Sequence, residues 1–339
     1  VEADADAGKV GRVDASPGGS GEDAARRAVE AARRGARVLV VRNTVVRAQE
    51  TFAACLATAP ELLLAVNGVA TLHHGRFAAE DRALLDAAVE AAIGKDSALG
   101  GRIVIGTQTL EQSLDLCSDL LITDLCPMDV LLQRIGRLHR HRRPRPTGFE
   151  AARVVVLTPP DGLDPLTGAA ANGLGAYADG PSLSGIYVDV PGLAATLAEI
   201  VARPEWRIPA MNRALVEAAT HPEALDRVAD AHGWQASRQR IPGKTLADRS
   251  TARLAILDRD QPLAGFPDDE LLRTRLGEEG VVLAFEPGTV GPFGAPITRI
   301  ALPARWSKGL VGDEAIVVED AGPPLRLKVA DRSMTYGPE

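Results

Sequence analysis

DLLITDLCPMDVLLQRIGRLHRH, residues 119–141, decides how this chain folds. Its first part, LLITDL at 120–125, is an apolar run of strand length. Pro127 stands where the first turn of a helix would begin, a position that does not need the missing N–H. The spacing predicts a helix from Pro127 to about Arg140. On such a helix Gln133, Arg137 and Arg140 lie four and three residues apart and share one face. A glutamine and two guanidiniums on one face suit the terminal phosphate of a nucleotide. Arginine stays charged, forks onto phosphate oxygens and can stabilise charge that develops during phosphoryl transfer. A solvated basic helix is the competing reading, and for an isolated charge run it is the favoured one. This run, QRIGRLHRHRRPRP at 133–146 with six arginines, is not isolated.

Upstream of it, strand and helix patterns alternate. GEDAARRAVEAARR (21–34) puts Ala25, Ala28, Val29 and Ala32 on one helical stripe, and Gly35 stops it. RVLVVRN (37–43) is the apolar run of a buried parallel strand, and Thr44 can cap the helix TVVRAQETFAACLA after it. VATLHHGRF (69–77) predicts a second strand running into a loop, and AAEDRALLDAAVEAAIG a helix closed by Gly94. RIVIGTQ (102–108), LLITDL (120–125) and ARVVVLTPP (152–160) complete five strands. Strands alternating with helices predict a mostly parallel sheet covered on both faces. Ligands of such sheets sit at the C-terminal strand ends, where RNT, LHHGR and GTQTLEQSLD fall.

The remaining segments are less regular. Residues 1–20 are acidic and Gly/Ser-rich and predict a flexible lead-in. Residues 161–203 predict a Gly-, Ala- and Pro-rich linker resuming as a helix in GLAATLAEIVARPEW. WRIPAMNRALVEAAT and PEALDRVADAHG suggest two further helices, the second started by Pro222. VVLAFEPG, PITRIALP, EAIVVED and LRLKVADRSMTY suggest a small β-rich or mixed domain. Residues 204–339 are therefore expected to be an accessory domain, truncated at its end.

The net charge of −7 over 339 residues argues against a generic basic nucleic-acid coat, so any such contact must be local. Three widely spaced cysteines form no CxxC pair, which argues against a disulfide scaffold or a zinc site and fits a reducing cytoplasm. No stretch approaches the roughly 20 apolar residues of a membrane span.

Four elements arrive in one order: VVRNTVVRAQ (40–49), LHHGRF (72–77), IGTQTLEQSLDL (105–116) and TDLCPMDVLLQRIGRLHRH (123–141). The last two resemble motifs V and VI of superfamily 2 helicases, motif VI following a Q-x-x-G-R-x-x-R pattern. The set resembles the helicase–nuclease of type I CRISPR systems, closely over 37–160 and more loosely beyond. The fold implied is the RecA-like second lobe of such a helicase (21–160), then a linker (161–203) and a small mixed α+β C-terminal domain (204–339). The phosphate-cradling P-loop and the Mg²⁺-holding box of a first lobe do not precede residue 37. Gly243-Lys244-Thr245 lacks the upstream glycine of a P-loop, since Arg238 stands there. Asp313-Glu314-Ala315 falls after motif VI, and no His-Asp pair of a nuclease occurs. The expectation is half of an ATPase site, inactive alone.

By this resemblance Arg137 and Arg140 act as arginine fingers, with Gln133 beside the same phosphates. Gly136, Asp115, Glu111, Gln112 and Arg134 belong to ATP binding or its coupling to strand movement. Thr107, Gln108, Asn43, Thr44, His74 and Arg76 would meet nucleic acid, gripping phosphates without reading sequence. A helix cap explains Thr44 equally well, ordinary loop bonding explains Gln112, and a structural role for His74 stands close behind. Arg142, Arg143 and Arg145 are as readily a solvated run. No metal ligand set is expected. The resemblance further implies ATP with Mg²⁺ held mainly by the first lobe. Implied partners are single-stranded DNA moved 3′ to 5′, a first RecA-like lobe in the same or another chain, and a guide-RNA surveillance complex. Another superfamily 2 helicase lobe, or a non-catalytic nucleic-acid-binding module, are the alternatives.

Overall fold

Arg37–Val41, RVLVV, is buried at every position, as a strand covered on both faces must be. It is β2 of a six-stranded sheet. The computed structural model describes residues 8–111, 114–177, 185–240, 281–302, 316–320, 324–329 and 332–337. The elements are β1 (Lys9–Pro17), α1 (Gly21–Arg33), β2, α2 (Val45–Thr58), the short pair β3 (Ala65–Val66) and β4 (Val69–Ala70), and α3 (Ala79–Ile93). There follow β5 (Arg102–Gly106), β6 (Leu120–Asp124), α4 (Met128–Ile135), β7 (Ala152–Thr158), the short β8 (Ala170–Ala171) and β9 (Leu174–Gly175), and α5 (Val190–Ala202). Then come β10 (Glu205–Ile208), α6 (Asn212–Thr220), α7 (Pro222–His232), β11 (Val282–Ala284), β12 (Arg299–Ala301), β13 (Ile316–Asp320), β14 (Leu325–Val329) and β15 (Arg332–Tyr336).

The main sheet runs β10-β1-β7-β6-β2-β5. All its pairings are parallel except β10 on β1. Alternate residues of each strand face opposite sides. Val38, Val40, Ile103, Ile105 and Ile122 pack under α1 and α2. Leu39, Val41, Val104, Leu121, Val154 and Val156 pack against α3, α4, α5, α6 and α7. This is a RecA-like α/β layer structure with small antiparallel sheets appended. A third cluster joins β11–β15 to Phe77, Ala78 and Leu85. Among the described residues no helix is long and apolar enough to cross a membrane.

Several expectations need correction. Lys9–Pro17, expected as part of a flexible lead-in, is a strand between β7 and β10. Its own sequence, KVGRVDASP, is too polar to announce a strand; the seven-residue register with β7 holds it. Residues 69–77 do not make one strand. Val69–Ala70 turns back on β3, and only His73 bridges β5, at Gly106. Trp206-Arg207-Ile208 is strand, not helix, and Trp206 is wholly buried. The proposed boundary at 203/204 therefore cuts through packed structure, because Trp206, Leu215, Ala219, Leu225 and Trp234 share a core with the central strands. The linker is ordered where described: β8 and β9 form a hairpin that Tyr187 joins through bonds with Gly173 and Gly175. Thr44 caps α2, accepting the Arg47 N–H at 3.3 Å, and Pro222 opens α7.

Candidate functional site

At the C-terminal end of β2 the chain is pinned to β6. Arg42 and Asp124 form a fully buried ion pair at 3.0 Å. The Asp124 carboxylate also accepts the Asn43 N–H at 2.8 Å. Asn43 donates its amide to the Leu125 carbonyl at 2.8 Å, and its Oδ1 accepts twice from Arg134. Asn43 is wholly buried and spent on the protein itself. The sequence reading set it among nucleic-acid contacts; its side chain is instead bonded within the chain.

Arg134 is the centre of this edge, with no exposed surface. Its Nε donates to Glu111 at 2.7 Å and its Nη1 to Thr123 at 2.6 Å. Its Nη2 donates to the Tyr187 hydroxyl at 3.2 Å. A buried guanidinium needs this many acceptors because each unpaired N–H costs its desolvation. The Gln108 amide donates to the Asn43 carbonyl at 2.9 Å, so Gln108, Glu111, Asn43 and Arg134 form one connected set. Thr107 is buried and bonds through its N–H to the His73 carbonyl. Gln112 lies outside the described residues.

The helix expected to reach about Arg140 stops at Ile135. Carbonyls beyond its last turn are recruited from far along the chain. The Lys9 ammonium takes those of Ile135 and Leu138, and the Ser118 N–H takes that of Arg137. Gly136 closes the helix in helical conformation, and His139 adopts a left-handed φ of 48°. Gln133, Arg137 and Arg140 thus do not share one helical face. Gln133 is exposed on α4. Arg137 follows the helix and donates to the Glu111 carbonyl at 2.7 Å, while its buried Nε has no partner. Burial, then the nearby Arg140, lowers its pKa. Arg140 pairs with Asp115 at 3.0 Å, and His141 bonds both oxygens of that carboxylate.

Arg143 and Arg145 are not a solvated run. Arg143 grips the carbonyls of Gly94 and Lys95 and the Ser97 hydroxyl. Arg145, 7% exposed at its side chain, bonds Asp119 at 2.6 Å. His74 also departs from expectation. It is buried, stacks on Phe77 with ring centroids 4.5 Å apart, and accepts the Arg76 N–H at 3.2 Å. Burial above all, with Arg76 and His73 adding to it, lowers its pKa to about 3, so it is held neutral in the core. His73, equally buried, spans Thr109 at 2.7 Å and Asp86 at 2.6 Å.

Thr44, Arg47, Arg76, Gln108, Asn172 and Ile186 line an open cleft of 590 Å³ beside this edge. Tyr187 and Lys9 escaped the sequence reading. Nothing in a Gly-rich excursion or an acidic leader marks one residue as reaching motif VI; only the folded topology does. Among the described residues no group of three or more His, Cys, Asp or Glu is placed to hold a metal.

Residues 34–143 match the family model described as CRISPR-associated nuclease/helicase Cas3, C-terminal. The chain is 52% identical over 91 residues to the CRISPR-associated endonuclease/helicase Cas3 of Thermus thermophilus, a match covering 26% of this chain and 10% of that protein. It is 42% identical over 135 residues to the Escherichia coli protein of that description, covering 39% of this chain and 15% of the relative. In both cases the match spans a small part of the relative. Among solved structures, T. fusca Cas3 with ATP superposes with a TM-score of 0.60 at 24% identity, over 82% of this chain and 31% of that one. A chain of a CRISPR RNA-guided surveillance complex, pre-nicking, superposes with a TM-score of 0.63 at 20% identity, over 98% and 44%. At these identities the superpositions speak to the fold.

Proposed function

We propose that the chain, which is similar over residues 34–143 to the C-terminal region of Cas3, is the second RecA-like half of an ATP-dependent single-stranded DNA translocase of CRISPR defence. The carrying observation is Arg137. One N–H holds the motif V loop at Glu111, while the buried Nε stays unpartnered. An orphaned guanidinium N–H is costly, and turning Arg137 so that this N–H meets a nucleotide phosphate, an acceptor of the right charge, would remove that cost. Arg137 would reach that phosphate as an arginine finger, with Gln133 beside it, and Arg140 would join on leaving Asp115.

Arg134 would transmit changes at the phosphate to the motif V loop, since it ties Glu111 to Asn43 and the end of β6. Gln108 and the cleft with Thr44, Arg47 and Arg76 would face the DNA backbone, with Thr107 buried behind them, giving grip without sequence preference. A first RecA-like lobe would supply the P-loop and hold Mg²⁺. The described residues do not form a Mg²⁺ set of their own. A guide-RNA surveillance complex would bring the motor to its DNA.

The test is ATP hydrolysis with and without single-stranded DNA, by this chain alone and joined to a first RecA-like lobe. The chain alone should not exceed its Arg137→Ala variant. The joined protein should show DNA-stimulated turnover that Arg137→Ala lowers by roughly 10³-fold, the scale of an arginine finger. DNA-stimulated turnover by the chain alone, abolished by Arg137→Ala, would sink the half-site account.

A further inference from the structure

Tyr187 stands 53 residues from Arg134 in sequence, yet its hydroxyl accepts from the Arg134 Nη2. Through Arg134, which also donates to the Glu111 carboxylate at 2.7 Å, that phenol oxygen is linked to both motif VI and the motif V segment. We propose that Tyr187 is a positioning residue for the arginine centre, through which the excursion between β7 and α5 sets the aim of Arg137. The proposal rests on Arg137 acting at the nucleotide phosphate.

The path is contiguous. Tyr187 braces Arg134; Arg134 Nε holds the Glu111 carboxylate at 2.7 Å; the Glu111 carbonyl accepts from Arg137 at 2.7 Å. Without the phenol oxygen, Arg134 Nη2 keeps only the 3.3 Å bond to Asn43. A fully buried guanidinium then has reason to shift toward other acceptors, carrying Glu111 and the Arg137 contact with it.

The excursion is built to deliver Tyr187 to that spot. Its backbone bonds with Gly173 and Gly175, each 2.9 Å, lock Tyr187 beside the β8–β9 hairpin. Both glycines have positive φ, and a Cβ on Gly175 would lie 2.4 Å from the Leu166 carbonyl oxygen. A Cβ on Gly185 would lie 2.7 Å from the Gly173 oxygen, so the segment carrying Tyr187 approaches the hairpin as closely as backbone allows. The base of the excursion is fixed in turn. Leu166 and Leu174 lie in the main core, and the Trp234 indole donates to Asp164 at 3.0 Å. Movement of the segment after α7 would therefore reach Arg134 through Tyr187. Burial first, outweighing Arg134, pushes the phenol up to about 12, so it remains a neutral hydroxyl at working pH.

The test compares Tyr187→Phe with Tyr177→Phe and Arg137→Ala in the chain joined to a first RecA-like lobe. Tyr177 is 45% exposed and serves as control. Tyr187→Phe should lower DNA-stimulated kcat about tenfold, equivalent to about 1.4 kcal/mol of barrier. KM for ATP should change much less, and the unfolding midpoint should stay close to that of Tyr177→Phe. Gly185→Ala, which displaces Tyr187 without removing its oxygen, should lower kcat in the same way. Unchanged kcat in Tyr187→Phe beside an inactive Arg137→Ala would overturn the proposal and leave the motor intact. A loss of kcat that only parallels a fall in unfolding midpoint would also overturn it. If Arg137→Ala itself turns over normally, the motor account fails and takes this proposal with it.

Discussion

Arg37 and Asp119 meet with essentially no exposed surface on either side: Asp119 Oδ2 accepts both the Arg37 backbone N–H and its Nε at 2.8 Å. The other carboxylate oxygen takes Arg37 Nη2 at 2.9 Å and Arg145 Nη1 at 2.6 Å. Burial raises the Asp119 pKa, but the bonds from Arg37 and Arg145 outweigh it and hold the carboxyl below its usual range. Asp119 lies at the start of β6, Arg37 at the start of β2, and Arg145 beyond motif VI, so one carboxylate ties three segments. Asp119→Ala strands two buried guanidiniums. It should cost about 3–5 kcal/mol, the scale of a buried pair broken on one side. Denaturant unfolding checks this, and a loss below about 1 kcal/mol would show that water reaches the pair.

How far the fold could be read depended on whether local sequence or distant partners decided each element. RVLVV and LLITD are strands by their own composition, and the first helix announces its buried stripe at Ala25, Ala28, Val29 and Ala32. β1 could not be read this way, because its polar sequence becomes strand only by pairing with β7. The end of α4 was hidden for a related reason: Lys9 and Ser118, remote in sequence, claim the carbonyls that would have continued it. At the site, the motif pattern brought out Gln133, Arg134, Arg137 and Glu111 as residues of one region. It said nothing of which were buried, so it could not foresee that Asn43 and His74, named as nucleic-acid contacts, are packed inside the chain.

Lys9 offers a pH test of the motif VI turn. Its Nζ donates to the Ile135 and Leu138 carbonyls on either side of Arg137. Burial, opposed by Cys117 and assisted by Arg140 and Arg145, lowers its pKa to about 8. Between that value and 10.5 the unfolded chain holds a proton that the folded chain has lost, so this group makes stability rise with pH. The neutral amine still has two N–H groups for the two carbonyls. Lys9→Met should cost about 1–3 kcal/mol, and its deficit relative to the parent should widen from about pH 7 to about pH 10. Denaturation of both proteins at the two pH values measures the gap; narrowing would mean that Lys9 is held as the charged form.

His74 supplies the opposite end of the pH scale. Its pKa is lowered to about 3 in the fold, against about 6.5 in an unfolded chain. As pH falls through that window the unfolded state takes up a proton the folded state refuses, and stability falls by up to about 1.4 kcal/mol per pH unit. Phenylalanine would preserve the stack on Phe77 and remove the titration, losing the bond from the Arg76 N–H. His74→Phe should therefore be slightly less stable near neutrality and show a shallower decline toward pH 4. Parallel profiles for the two proteins would place the acid sensitivity elsewhere, with His139, also lowered to about 4, the next group to test.

Tyr336 fastens the C-terminal sheet to the main domain. Its hydroxyl donates to Asp81 Oδ2 at 2.6 Å and accepts the Ala78 N–H at 2.7 Å, both at the start of α3. Its ring packs edge-on to Phe77 at 5.9 Å. Burial raises the Asp81 pKa, and the Tyr336 bond works against that. Tyr336→Phe keeps the ring but leaves a buried N–H and a buried carboxyl short of a partner, a cost of about 2–3 kcal/mol. The damage falls at one seam, since Tyr336 and its partners lie apart from the clusters that hold the main sheet. Amide hydrogen exchange should show β13–β15 losing protection while β2, β5 and β6 keep theirs. Equal loss in both would instead show that the C-terminal sheet and the RecA-like layer unfold as one unit, with Tyr336 a part of their common core.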